Sequence, residues 1–169
     1  MGNVIKTEIT QKDEALLLEC VNIAHEAKLN SNHPFGALLA DKNGEILLKQ
    51  GNDFTHGGSA FHAETLLVMK AVQLYPPQFL SECTLYTNFE PCVMCSGAIY
   101  WANIGRLCYG VSEASLLKLT GSNDENPTFS LSAEKVFESG QKTIEIAGPL
   151  ADNSPLVPII IKDHIGFWK

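Results

Sequence analysis

Two short fragments of the sequence hold the residue types that bind a metal ion and move protons. One is His62-Ala63-Glu64, and the other runs from Pro91 to Cys95 as Pro-Cys-Val-Met-Cys. Pro91 is typical of the first turn of a helix, and residues three apart on a helix lie on one face. Amides at a helix N-terminus favour the thiolate form of a cysteine, which is the form that ligates metals. Cys92 and Cys95 can therefore present two sulfur atoms to one ion.

A third candidate ligand is His62, at the start of its own predicted helix. Three protein ligands leave one tetrahedral position of zinc open, which is typical of a catalytic site. A water molecule in that position has its pKa lowered towards about 7. Glu64, two residues beyond His62, can lie beside this position and exchange protons with the water. The residues therefore predict one Zn²⁺ per chain and a carboxylate that acts as its proton shuttle.

Two other interpretations of these residues stay open at this point. A lone Cys-x-x-Cys is also typical of thioredoxin-like redox proteins, which do not need a His-x-Glu fragment. A structural zinc site in a non-catalytic binding module needs a fourth ligand. Candidates for that ligand are Cys20, Cys83, Cys108, His33 and His56. A structural site leaves Glu64 and Pro91 unexplained.

The elements that would position the two fragments alternate between strand and helix after residue 34. Apolar runs and turn residues predict strands over 35–40, 45–50, 83–88, 106–111 and 143–147. Helical spacing predicts helices over 10–28, 62–75, 91–101, 112–119, 133–138 and 159–168. The order predicts an α/β fold with three α/β/α layers around a central mixed sheet of about five strands. We expect a single domain over 1–169, with a C-terminal tail or helix over 149–169 that closes the active site.

Composition and charge exclude several classes of protein. The sequence has 169 residues and a formal net charge of −7, which argues against nucleic acid as the main partner. No apolar run approaches the roughly 20 residues of a membrane span, and residues 1–10 lack the apolar stretch of a signal peptide. The cysteines number five, and an odd count favours a reducing compartment. We therefore expect a cytoplasmic protein that binds no membrane.

In their order and predicted context, the two fragments resemble the motifs of the cytidine deaminase-like superfamily of zinc deaminases. The residues that carry the resemblance are His62-Ala63-Glu64, then Glu90-Pro91-Cys92-Val93-Met94-Cys95 and Gly97-Ala98. The sequence looks most like the branch of guanine deaminases and nucleoside deaminases. This likeness is carried by His33-Pro34-Phe35-Gly36, Gly51-Asn52 and Ala98-Ile99-Tyr100-Trp101. The resemblance covers about residues 34–111.

The resemblance implies roles for individual residues. Zinc is held by His62, Cys92 and Cys95, and Glu64 is the catalytic residue. The implied substrate-binding residues are Asn52, Phe35, Ala63, Trp101, Asp124 and Trp168. In the family an asparagine hydrogen-bonds the base, aromatics line its pocket, an acidic residue contacts its amino group, and an aromatic of the C-terminal tail closes the pocket. Core packing of the aromatics and a turn role for the asparagine are the competing interpretations.

The activity implied by the resemblance is hydrolytic deamination of a free nucleobase or nucleoside, with guanine the favoured substrate. Cytosine deaminase and tRNA-specific adenosine deaminase are the alternatives. The tRNA enzymes should carry a basic face, whereas residues 155–169 hold only Lys162 and Lys169 against Asp163. A small-molecule substrate is therefore expected, and the resemblance also implies a homodimer.

Overall fold

A mixed sheet of six strands forms the centre of the fold. The computed structural model describes residues 2–168, so Met1 and Lys169 lie outside the described part of the predicted 1–169 domain. The strands are β1 (Val4–Thr7), β2 (Gly36–Ala40), β3 (Ile46–Gly51), β4 (Thr84–Phe89), β5 (Arg106–Val111) and β6 (Ile144–Ala147). Their order across the sheet is β1-β6-β5-β4-β2-β3. Strand β2 is antiparallel to β3 and β4, and the other pairs are parallel.

The five predicted strands are all present, and β1 is the additional one. It is a four-residue edge strand that pairs in parallel with β6. Its first and last residues are half-buried, and the two between them, Ile5 and Lys6, are exposed. A short edge strand of this kind has no apolar run, because the hydrogen bonds to β6, rather than burial, define it.

Helices cover both faces of the sheet, which confirms the predicted three layers. The main helices are α1 (Gln11–Leu29), α3 (Ala63–Leu74), α5 (Val93–Trp101), α6 (Glu113–Thr120), α7 (Ala133–Glu138) and α8 (Leu156–Ile161). Two short helical turns lie on either side of α3. One is α2 (Phe54–Gly57), between β3 and α3, and the other is α4 (Pro77–Leu80), between α3 and β4. One apolar cluster joins the sheet to α1 and α8, and a second joins it to α3, α5 and α7. Strand β2 is buried along its whole length because both of its faces are covered.

A buried ion pair connects the start of α1 to the middle of the sheet. Thr10 and Asp13 form a capping box at the start of this helix. The Asp13 carboxylate also accepts hydrogen bonds from Arg106, at 2.8 Å, and from the Tyr86 hydroxyl, at 2.6 Å. Burial alone would raise the pKa of Asp13, but bonds from Arg106, Thr10 and Tyr86 lower it to about 2. Asp13 therefore stays ionised and fixes α1 against β4 and β5.

The C-terminal segment differs from the prediction of one helix over 159–168. Helix α8 begins at Leu156 and ends at Ile161, and a 3-10 turn over Lys162–His164 follows it. Gly166 has a φ of 73°, a value that favours glycine and ends the helical path. Across residues 2–168, no helix is both long enough and apolar enough to span a membrane.

Candidate active site

The site lies where two parallel strands end beside each other. Strands β4 and β5 are paired in register up to Phe89 and Val111. The chain then continues from β4 into α5, with Cys92 at the N-cap, and from β5 into α6. Helix α3 contacts α5, and His62 is its N-cap. The N-termini of α3 and α5 therefore bring the two fragments predicted from the sequence together.

Three side chains form a group with the spacing that one zinc ion requires. His62 Nδ1 lies 3.5 Å from Cys92 Sγ and 3.4 Å from Cys95 Sγ. Tetrahedral zinc, with bonds of about 2.0 Å to nitrogen and 2.3 Å to sulfur, separates such atoms by roughly 3.5 Å. His62, Cys92 and Cys95 are the one group of three potential metal ligands found within the described residues. The donor set fits zinc and identifies Nδ1 as the ligating nitrogen of His62.

The two thiols of this group have opposite electrostatic surroundings. The neighbouring Cys95 thiol, followed by His62, holds the pKa of the Cys92 thiol well below its ordinary value. Burial raises the pKa of the Cys95 thiol, whose sulfur accepts a hydrogen bond from Thr65 Oγ1 at 3.1 Å. One sulfur thus has thiolate character from the protein alone, and a cation would favour ionisation of the second.

Glu64 lies beside this group in the first turn of α3. Its side chain is buried, and its Oε1 accepts a hydrogen bond from Thr87 Oγ1 at 2.7 Å. The other oxygen, Oε2, lies 3.6 Å from Cys95 Sγ. Burial raises the pKa of Glu64 above its ordinary value, towards the range in which a carboxyl both accepts and donates protons. Thr87 therefore fixes the orientation of a carboxyl that is suited to proton transfer.

A cavity opens in front of the metal-binding group. Its aromatic and apolar wall consists of Phe35, Phe89 and Leu116. Its polar wall consists of His33, Asn52, His62, Glu64, Glu90, Cys92, Glu113 and Asn126. A cavity with a flat apolar wall and a few convergent polar groups is suited to a planar heterocycle with polar edges.

The sequence matches the family model for the cytidine and deoxycytidylate deaminase zinc-binding region over residues 10–111. The chain belongs to this family. It is therefore a zinc-dependent deaminase, in which His62, Cys92 and Cys95 match the expected metal-binding group. The match spans α1 to β5 and includes every residue of the metal-binding group and Glu64.

The relatives of this deaminase are named for different bases. A probable cytosine deaminase from Schizosaccharomyces pombe is 36% identical over 164 residues, which cover 96% of each chain. The guanine deaminase of Bacillus subtilis is 40% identical over 91 residues, or 53% of this chain and 58% of that one. The solved guanine deaminase from Nitrosomonas europaea superimposes with a TM-score of 0.68 at 21% identity, covering 97% of this chain and 88% of that one. That last similarity concerns the fold alone.

Asn52 lies in the wall of the deaminase cavity with its amide oriented by the backbone. Its Oδ1 accepts hydrogen bonds from the backbone N–H groups of Phe54, at 2.9 Å, and His33, at 3.3 Å. No group within the described residues accepts a bond from its Nδ2. The side chain therefore offers N–H donors, rather than an acceptor, to a molecule in the cavity.

Phe35 and Ala63 hold different positions relative to the cavity. The Phe35 ring forms part of the wall and meets Phe89 edge-on at a centroid distance of 5.7 Å. The Ala63 side chain is fully buried in the core between the sheet and α3. Ala63 is therefore not part of the cavity wall, contrary to the role in substrate binding that the family resemblance implies.

Trp101 does not line the cavity, contrary to the prediction. It is the last residue of α5, and 81% of its surface is exposed. It follows Cys95 by six residues, which on a helix is a displacement of roughly 9 Å and a rotation of about 240°. Helix geometry thus carries Trp101 away from the metal-binding group within one chain.

Asp124 also lies away from the cavity. It lines a depression on the outer surface together with Phe167 and Trp168. Asn123 Oδ1 accepts hydrogen bonds from the backbone of Glu125, at 2.9 Å, and Asn126, at 3.3 Å, and this local turn brings Asn126 to the cavity. Asn126 lines the cavity, and Glu125 accepts a hydrogen bond from His33 Nε2 at 3.0 Å.

The C-terminal tail packs behind the cavity wall through His164. Its Nε2 donates to the carbonyl oxygen of Pro34 at 2.7 Å, and its Nδ1 accepts from Trp168 Nε1 at 3.1 Å. The Trp168 ring lies 5.0 Å from the ring of His33 and 6.1 Å from that of Phe35. Trp168 therefore forms a second layer outside two residues of the wall and does not itself line the cavity.

Several residues of the site were not predicted from the sequence. The structure adds Glu113 and Asn126 to the cavity wall, Glu90 and His33 beside them, and Thr87 behind Glu64. For Glu113 a signal was present, because it lies two residues beyond the predicted strand over 106–111, as Glu90 lies two residues beyond the predicted strand over 83–88. Carboxyl ends of parallel strands meet at one edge of a sheet, where ligands bind in open α/β folds.

Proposed function

We propose that this deaminase hydrolyses the exocyclic amino group of a free nucleobase, with guanine as the first candidate. The observation that carries the proposal is the position of Glu64, which lines an aromatic-walled cavity and lies 3.6 Å from a sulfur atom of the metal-binding group. A cavity of that kind accepts a small planar ring. The −7 net charge supports a small molecule over a polynucleotide.

The residues of the chain perform the proton transfers of the proposed reaction. Zinc held by His62, Cys92 and Cys95 would act as a Lewis acid that lowers the pKa of a coordinated water molecule. Glu64 accepts a proton from the attacking water and passes it to the ring nitrogen next to the amino-bearing carbon. Once the water oxygen has bonded to that carbon, Glu64 takes the remaining proton from this oxygen and gives it to the amino nitrogen. The carbon–nitrogen bond then breaks, and ammonia leaves.

The base is held by the remaining polar and aromatic groups of the cavity. The Nδ2 of Asn52 faces a cavity in which a carbonyl oxygen or ring nitrogen can accept its hydrogen bond. The ring of Phe35 offers a flat apolar surface on which a heterocycle packs.

Cytosine is the second candidate substrate. The relative that matches almost the whole chain bears the name of a probable cytosine deaminase. The relative named guanine deaminase is more similar in sequence, at 40% identity, but over only 53% of this chain. Guanine and cytosine share a carbonyl group and an amino-bearing carbon next to a ring nitrogen, so the same residues suit both.

A panel of free bases and nucleosides tests the proposal. Ammonia release would be measured with zinc-loaded protein for guanine, cytosine, adenine, isocytosine and a pterin, and for guanosine, cytidine and adenosine. We expect turnover of guanine and none of guanosine. Turnover of cytosine alone would replace guanine with the second candidate. Turnover of nucleosides alone, or of adenosine in tRNA alone, would contradict a free-base enzyme.

We further propose that the tail over 149–169 closes the site of a single deaminase domain. Support comes from the aromatic contacts that Trp168 makes with His33 and Phe35, both in the cavity wall. His164 holds this tail in place, and only its neutral form with a proton on Nε2 can make both of its bonds. The docked tail thus depends on an uncharged His164.

Lowering the pH is expected to weaken this docking. Burial lowers the pKa of His164 to about 4, below the ordinary histidine value of 6.5. The unfolded protein therefore takes up the proton first, and the stability gained from neutral His164 is complete above pH 6.5 and lost as the pH falls towards 4. The full loss is about 3 kcal/mol, at 1.36 kcal/mol for each pH unit.

Urea unfolding between pH 7 and 4.5 measures this effect. His164→Gln, which does not titrate, should be less stable than the original protein at pH 7 but lose less stability on acidification. Burial also lowers the pKa of His33, so the stability of His164→Gln should still fall somewhat as the pH is lowered. His25→Gln is the control, since His25 is an exposed partner of Asp163 on the outside. Equal slopes for His164→Gln and the original protein would contradict the role of His164.

We also propose that the deaminase is a cytoplasmic homodimer. All five cysteines are free thiols, which suits a reducing compartment.

Helices α3 and α5 expose large apolar side chains, which favours burial against a second copy. These side chains are Met69, Val72, Leu74, Met94 and Trp101. Sedimentation velocity should give twice the monomer mass, and Trp101→Glu should shift it to the monomer mass.

A further inference from the structure

Thr65 is a polar residue of α3 whose side chain contacts a metal ligand on another helix. Its Oγ1 donates a hydrogen bond to Cys95 Sγ, on α5, over a distance of 3.1 Å. Thr65 is half-buried and lies outside the cavity wall. Its hydroxyl group therefore acts on the metal-binding group and does not contact a molecule in the cavity.

The position of Thr65 along α3 directs its hydroxyl group towards α5. His62 is the N-cap of α3 and Thr65 is its third residue, and a spacing of three places both on one side of the helix. A threonine in a helix often donates its hydroxyl to the carbonyl oxygen four residues earlier. Here that oxygen belongs to Phe61 and accepts a hydrogen bond from the N–H of Asp53 at 3.0 Å. The hydroxyl of Thr65 instead connects α3 to α5.

The sulfur atom of Cys95 lies in an enclosed place beside a carboxyl group. Cys95 has no surface exposed to solvent, and Glu64 Oε2 lies 3.6 Å from its Sγ. A cysteine ligates zinc as the thiolate, which has no proton to donate to Glu64. The hydroxyl of Thr65 is then a donor that stabilises the sulfur beside a negatively charged neighbour. Water cannot replace this donor, because Cys95 is out of contact with solvent.

A hydrogen bond to a ligating sulfur has two physical effects. It fixes the direction of the sulfur, so that the metal-binding group is formed before the ion arrives, and this raises the affinity for the ion. It also withdraws negative charge from the sulfur, which then transfers less charge to the bound cation. The cation consequently remains a stronger Lewis acid.

We propose that Thr65 is a positioning residue of the zinc site, whose hydroxyl orients the Cys95 sulfur and reduces the negative charge that this sulfur gives to the metal. Thr65 acts through Cys95 and takes no part in proton transfer, which belongs to Glu64. This role is the same whichever base the deaminase accepts. It predicts changes in metal affinity and in the electronic spectrum of the site, both of which are measured without substrate.

Zinc affinity gives the first measurement. Thr65→Val replaces the hydroxyl with a methyl group of similar size, and the zinc-loaded protein would be titrated with a competing chelator. We expect the Kd for zinc to rise by about 10-fold to 100-fold, the usual effect of losing a group that supports a metal ligand. Thr65→Ser, which keeps the hydroxyl, should stay close to the original protein. The matched control is Thr7→Val, the same replacement in β1, where the enclosed hydroxyl has no partner among residues 2–168.

The spectrum of the cobalt-substituted protein gives a second measurement, which a packing role of Thr65 would not change. Co²⁺ in place of zinc has an absorption band in which an electron moves from sulfur to the metal. We expect this band to shift to longer wavelength in Thr65→Val, because a thiolate without the hydrogen bond releases an electron more readily. Thr65→Ser should restore the original position of the band. Thr65→Ala, which favours the helix more strongly than valine does, should show the same shift as Thr65→Val if the valine variant folds poorly.

The outcomes either support or overturn this role of Thr65. Weaker zinc binding with a shifted cobalt band in Thr65→Val, and neither change in Thr65→Ser or Thr7→Val, would support it. An unchanged zinc affinity and band in Thr65→Val would overturn it. Equally weakened binding in Thr65→Val and Thr65→Ser, with the band unmoved, would also overturn it, since only packing would then be affected. If the original protein turned over no base in the panel, the proposed substrate would fail while these measurements kept their meaning.

Discussion

Glu64→Gln is expected to lower kcat for deamination by about 10³-fold or more while the protein stays folded and keeps its zinc. General acid–base catalysis contributes about 10²-fold to 10⁴-fold, and here one carboxyl performs every proton transfer of the proposed cycle. Glutamine has almost the same volume and can still accept the bond from Thr87 Oγ1, which lies 2.7 Å from Glu64 Oε1. What it lacks is the ability to take and return a proton. Steady-state ammonia release, with zinc content measured on the same sample, tests this expectation.

A variant of Thr87 controls for the orientation of the carboxyl. Thr87→Val removes the hydrogen bond to Glu64 but leaves the carboxyl, so a loss of about 10-fold, well below that of Glu64→Gln, is expected. If the two variants lowered kcat equally, the position of the carboxyl, rather than its proton transfer, would account for most of the effect. Full activity in Glu64→Gln would refute the assignment of Glu64 and favour a non-catalytic zinc-binding module.

Cys92→Ala is expected to reduce bound zinc from one ion per chain to nearly none and to abolish turnover. The remaining His62 and Cys95 would provide two ligands, and two ligands hold zinc far less tightly than three. The distances of 3.5 Å and 3.4 Å from His62 Nδ1 to the two sulfur atoms suit a single ion that all three residues share. Metal analysis after dialysis against a mild chelator measures the change.

The chain offers a matched control for this variant. Cys83 is also a buried free thiol, but it lies at the other end of β4, where its sulfur donates to the carbonyl oxygen of Phe79 at 3.4 Å. Cys83→Ala should therefore keep one zinc ion per chain and lose only packing stability, by about 1 kcal/mol. Loss of zinc in both variants would point to a general unfolding effect and contradict a local site.

Some substrate contacts implied by family resemblance hold in the structure better than others. Asn52 and Phe35 lie in the cavity wall, as expected of residues that contact a base. Trp101 and Asp124 lie on the outside, and Trp168 forms a second layer behind His33 and Phe35. The difference does not follow distance along the chain, because Trp101 is closer to Cys95 in sequence than Phe35 or Asn52 is to His62.

The sequence alone predicted the metal-binding group and the class of fold, and it identified Glu64 as the candidate catalytic carboxyl. His62 with Glu64, and Cys92 with Cys95, are each separated by a spacing that places them in the first turn of a helix, so local geometry brings each pair together. The alternation of apolar runs with amphipathic segments likewise identified five of the six strands, because burial on one or both faces leaves a periodic pattern. The edge strand β1 left no such pattern, since its pairing with β6 depends on backbone hydrogen bonds.

Only the tertiary structure decided which other side chains reach the cavity. Glu113 enters it because β4 and β5 end in register, and no local pattern around Glu113 records that pairing. Trp101 leaves it because nine residues of helix separate its side chain from Cys92. The turn around Asn123 directs Asn126 into the cavity and leaves Asp124 outside. Contacts between residues distant in sequence depend on strand register, helix direction and loop path, and these are properties of the assembled fold rather than of any short segment.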